Sequence, residues 1–66
     1  MSDTTAAELG AAAEAIAGYQ QRIGRLGARF SPGDREDLAS AIHEAERSLE
    51  VAEKAIRRAI RLASRT

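Results

Sequence analysis

Cysteine is absent from this 66-residue chain, and so is tryptophan. Without cysteine there is no disulfide framework and no thiolate metal site. The one histidine, His43, excludes a multi-histidine zinc site within a single chain. Tyr19 and Phe30 are the only aromatic residues, which leaves almost no platform for stacking bases. Ten basic and ten acidic residues cancel to a formal net charge of 0. A dedicated nucleic-acid binder usually carries a positive excess, although a local patch can act alone. The apolar runs are too short for a membrane span. Ser2-Asp3-Thr4-Thr5 carries no positive charge and no signal-peptide core follows it, so the expected location is the bacterial cytoplasm.

What is present is alanine and charge. Hydrophobic residues make up 44% of the chain, too many for a generic disordered tail. Fifteen of them are alanine, so few side chains can fill a core: five leucines, five isoleucines, Val51, Tyr19, Phe30 and Met1. At this length a monomer's core is marginal unless a metal, a disulfide or a second chain assists.

A single segment, Phe30-Ser31-Pro32-Gly33-Asp34, punctuates the interior and holds the only proline. Ser31 is placed to cap a helix, with Pro32 at its first position and Asp34 three residues after the serine. Asp34 with Asp37 is the alternative cap. Downstream, Leu38, Ile42, Ala45, Leu49, Ala52, Ile56, Ala59 and Ala63 are spaced alternately by four and three. This heptad rhythm predicts a helix over about 34–64. Upstream, Leu9, Ala12, Ile16, Tyr19, Ile23, Leu26 and Phe30 repeat it and predict a helix over about 5–29, capped by Thr4 or Thr5. Gly10, Gly18, Gly24 and Gly27 each lower its propensity by about 1 kcal/mol relative to alanine. Gly27 is an alternative end. Two helices joined by a turn at about 30–33 fold back on each other. The expected class is all-α: one antiparallel two-helix hairpin of coiled-coil-like helices over residues 1–66.

Charge order agrees with that turn. Net charge runs −3 over residues 1–21, +3 over 22–29, −5 over 30–53 and +5 over 54–66. Each helix therefore starts negative and ends positive, as its dipole prefers. Folding back sets each positive end beside the other helix's negative end.

Each helix also carries more apolar surface than one neighbour needs. Helix 1 adds a second row, Ala6, Gly10, Ala13, Ala17, Gly24 and Ala28, while helix 2 adds Ala41, Ser48, Ala55 and Leu62, with Ile60 on the other flank. A wide stripe implies more than one helical contact. The expected assembly is a homodimer or higher oligomer, two hairpins forming a four-helix bundle. Its interface is expected on the larger seam residues: Leu9, Ile16, Tyr19, Ile23, Leu26 and Phe30 with Leu38, Ile42, Ala45, Leu49, Ala52, Ile56 and Ala59.

No catalytic, cofactor or metal site is expected. His43 and Glu46 share a helical face, but a di-iron centre needs more carboxylates and a second histidine. The serines have no histidine and carboxylate in a recognisable order, and no phosphate loop is present. Arg57, Arg58, Arg61 and Arg65 form the densest charge feature. They suit an acidic protein surface or a phosphate backbone, or simply the negative end of the helix dipole. The resulting expectation is a non-enzymatic oligomerisation and protein-interaction module, as a small scaffold, adaptor or antitoxin-like binder. The alternative is a small regulatory nucleic-acid binder using the arginine-rich end of helix 2.

Overall fold

A computed structural model describes residues 3–65 of the chain. Met1, counted above among the larger apolar side chains, lies outside the described residues. Two antiparallel helices pack against each other, α1 (Thr5–Gly27) and α2 (Glu36–Ala63). The rod measures 55 × 14 × 11 Å.

α1 begins where Asp3 takes up the first free donors. The Thr5 N–H and the Thr5 hydroxyl both donate to Asp3 Oδ1, at 2.9 and 2.6 Å. Thr4 precedes the helix without a side-chain cap bond to the backbone, and its hydroxyl donates instead to Glu8 at 3.1 Å. The cap expected at Thr4 or Thr5 is thus supplied by the preceding aspartate. All four glycines lie within α1, which ends at Gly27 rather than Arg29. Its last turn tightens as Arg29 N–H reaches Leu26 C=O at 3.2 Å.

The connection is longer than 30–33, and α2 starts two residues later than expected. Asp34 N–H donates to Ser31 C=O at 3.0 Å, closing a four-residue turn. Pro32 holds its second position and Gly33, at φ 94°, its third. This is the type II pattern, in which proline presets one φ and glycine accepts the positive one. Ser31 and Asp34 are therefore spent on the turn, and neither serves as the helix cap. Arg35 takes that place in the left-handed region at φ 38°, ψ 60°. Its guanidinium holds Asp37 through two contacts of 3.2 Å. The Arg35 carbonyl accepts the Ala39 N–H at 2.9 Å.

Both acidic starts have depressed carboxyl pKa values. The Thr5 hydroxyl and then the Thr5 N–H hold Asp3 below its ordinary 3.8. The Arg35 guanidinium and then the Leu38 N–H do so for Asp37. A depressed folded value contributes stability above the ordinary pKa and loses it as pH falls through the folded one. Helicity, read by far-UV circular dichroism, should therefore decline on acidification below about pH 3.8. Asp3→Ala should fray the start of α1 already at neutral pH and show a smaller acid-induced decline.

Candidate interaction surface

The contact between the helices combines a row of leucine and isoleucine on each helix with alanine and glycine of α1. On α1 the row Leu9, Ile16 and Ile23 is partly buried, together with Ala6, Gly10, Ala17, Gln20, Gly24 and Gly27. Ala13, at 2% exposure, is the one buried hydrophobic residue among those described. On α2 the row Ile42, Leu49 and Ile56 is partly buried, as are Ala39, Glu46, Glu53 and Ile60. Phe30, Ala52 and Ala59 are partly buried as well.

This contact differs from the expected seam by a rotation of each helix. Ala12, Tyr19 and Leu26 were placed in the seam, yet they are exposed, Tyr19 to 53%. Leu38, Ala45 and Ala63 on α2 are also exposed. The second, small-residue row of helix 1 lies in the contact with α2, except for Ala28. The physical reason lies at Gly24 and Gly27, which face Glu46. A Cβ on Gly24 would sit 3.6 Å from Glu46 Oε2. One on Gly27 would sit 3.2 Å from Ile42 Cγ2 and 3.4 Å from Glu46 Oε1. The Glu46 carboxylate lies beside the two glycines while still partly reaching water, and the tight spot is at Gly27, where an added methyl group would press on Ile42. Alanine and glycine opposite Ile42 and Glu46 thus turn α1 away from its bulkier Tyr19–Leu26 strip. The Gly24-x-x-Gly27 pair was the sequence signal for this contact, while the burial of Glu46 and Glu53 had none.

Near the turn, Phe30, Pro32, Gly27, Ala39, His43 and Glu46 line an open recess of ≈ 830 Å³. Phe30 shares this recess with Ala39, which is partly buried, while Leu38 is exposed. His43 Nδ1 lies 3.4 Å from Glu46 Oε1 and is otherwise solvated. Among the described residues, no three histidine or carboxylate side chains converge as a metal site. No described helix is long and apolar enough to cross a membrane.

The arginine group divides. Arg57 is held by Glu53 at 3.0 Å, and Lys54 by Glu50 at 3.4 Å. Arg58, Arg61 and Arg65 have no carboxylate at ion-pairing distance among the described residues. They line a shallow recess of ≈ 380 Å³ with Leu62, which is 54% exposed. Among the described residues, Asp3 and Glu8 at the acidic start of α1 form no ion pair with these arginines, and their carboxylates accept from Thr5 and Thr4.

The glycines give a direct test of the close contact. Gly18 has nothing within 4 Å of a prospective Cβ. Gly18→Ala should therefore stabilise by about 0.5–1 kcal/mol, the ordinary helix-propensity gain. Gly27→Ala should gain less than that or destabilise, because Ile42 must yield. Denaturant titration of both variants measures the difference.

Comparisons with known protein families, with curated proteins and with solved structures find no match for this chain.

Proposed function

We propose that this chain is a non-enzymatic interaction module: a helical hairpin that self-associates into an assembly of four helices and presents further helical faces to a protein partner, as a small scaffold or adaptor does. The observation that carries the reading is the shortage of buried surface. The hairpin exposes 5365 Å². A compact folded protein of 7.1 kDa exposes about 4,100 Å². Two helices side by side cannot enclose a core, and Val51 at 66% exposure, Leu62, Tyr19, Leu26 and Leu38 remain in water. A chain lacking cysteine has no disulfide to offset this. A second hairpin offsets it by covering apolar surface, at about 25 cal/mol per Å² of apolar area.

Nucleic-acid binding through Arg58, Arg61 and Arg65 is the second reading, favoured by their lack of carboxylate partners. The exposed Leu62 among them and the neutral net charge weigh toward a protein surface instead. A mobility-shift assay with generic duplex separates the two. The interaction-module reading predicts no shift at low salt, and a salt-dependent shift supports the alternative.

Sedimentation equilibrium at micromolar concentration should give a dimer or larger species. A mass of 7.1 kDa throughout that range would defeat the proposal.

A further inference from the structure

The outer side of α2, away from α1, carries a second heptad rhythm of its own. It runs from Asp37 to Leu62 in alternate steps of four and three, with Arg65 continuing the count just past the helix end, and every position in it is exposed. Val51 stands at its centre. Seven residues before Val51 is Glu44, and seven after it is Arg58. Neither has an ion-pair partner among the described residues.

We propose that a second copy of this chain docks antiparallel along this outer side of α2, with the two-fold axis at Val51. The inference rests on the self-association proposed above and names the surface and direction of it. Laid against its own reverse, the seam pairs like with like in polarity and opposites in charge. Val51 meets Val51 of the other copy. Ser48 meets Ala55, two small residues that permit close approach. Glu44 meets Arg58, and Ala41 leaves room for Leu62. At the two ends lie Asp37, already held by Arg35 of its own chain, and Arg65, just past the helix. The two-fold axis repeats each unlike pair, so the Glu44–Arg58 contact occurs twice. The helix offers about 42 Å of contact length for its 28 residues.

A parallel pairing of the same seam fails on charge. It sets Glu44 against Glu44 and Arg58 against Arg58, and like charges facing across helices are destabilising. The same asymmetry holds for the whole helix, since residues 30–53 carry −5 and residues 54–66 carry +5. An unrelated acidic partner satisfies Arg58 but leaves Glu44 without a base, whereas Asp37 already has Arg35. A second copy satisfies both Glu44 and Arg58.

Charge reversal tests the pairing, read by sedimentation equilibrium at low ionic strength on full-length protein. Glu44→Arg and Arg58→Glu should each weaken the dimer about tenfold, because two symmetry-related pairs turn repulsive at once. The double variant should return affinity to near that of the original chain. Circular dichroism of each variant checks that the helices persist. Single reversals without effect on an intact dimer would overturn this docking while leaving self-association standing. A monomer throughout, in the unaltered chain, would overturn both. Orientation is read separately by cross-linking, since the chain has no cysteine of its own. Ala41→Cys and Leu62→Cys, mixed and oxidised, should form mainly the mixed disulfide. Each variant cross-linking mainly to itself would contradict the antiparallel arrangement.

Discussion

The close approach of α1 to α2 through alanine and glycine is the constraint on which the rest depends. Ala13 is buried, and Gly27 faces Ile42 at a distance that leaves little room even for a methyl group. Such a contact brings backbones together but removes little apolar area per residue from water. It also costs helix propensity, because the four glycines that include the contact pair sit within α1. The hairpin is consequently long, thin and short of core. Its larger apolar side chains are divided between the contact and the outside. That division sets up the functional reading: surface left uncovered by one hairpin is available to cover another.

Much of the architecture was legible in the residues. The single Ser31-Pro32-Gly33 break and the two heptad runs sufficed for two antiparallel helices. Charge order pointed to the same turn. The start of α2 was misplaced because Ser31, Pro32 and Asp34 satisfy two patterns equally well, a capping box and a type II turn. The positive φ of Gly33 selects the turn. Which face of each helix turns inward was legible in part: Leu9, Ile16 and Ile23 with Ile42, Leu49 and Ile56 are partly buried, whereas Tyr19, Leu26, Leu38 and Ala45 are exposed. Alanine occurs on several faces of both helices, so periodicity alone cannot rank the rows. The expected seam includes Tyr19 and Leu26, whereas in the structure Leu9, Ile16 and Ile23 meet α2 together with the neighbouring small residues, and Glu46 lies beside Gly24 and Gly27.

The outer side of α2 shows what that rotation leaves behind. Ala41, Ser48, Ala55 and Leu62, the row already set apart by its spacing, remain exposed. Around them stand charges whose order along the helix is reversed by an antiparallel copy and repeated by a parallel one. Exposed ion pairs contribute little each. Their value here is in selecting orientation, while the apolar layers at Val51 and Leu62 supply the area. In the proposed pairing Arg58 faces a carboxylate without any polyanion. The strip of Ala12, Tyr19 and Leu26 on α1 is exposed as well.

Thermal unfolding as a function of protein concentration tests the central claim most directly, the claim that one hairpin alone buries too little to be the stable form. Unfolding coupled to dissociation makes the midpoint depend on concentration by mass action, whereas a monomer's midpoint does not. The account predicts a midpoint that climbs by several degrees over about a hundredfold increase in concentration. A midpoint that stays constant across that range would contradict it.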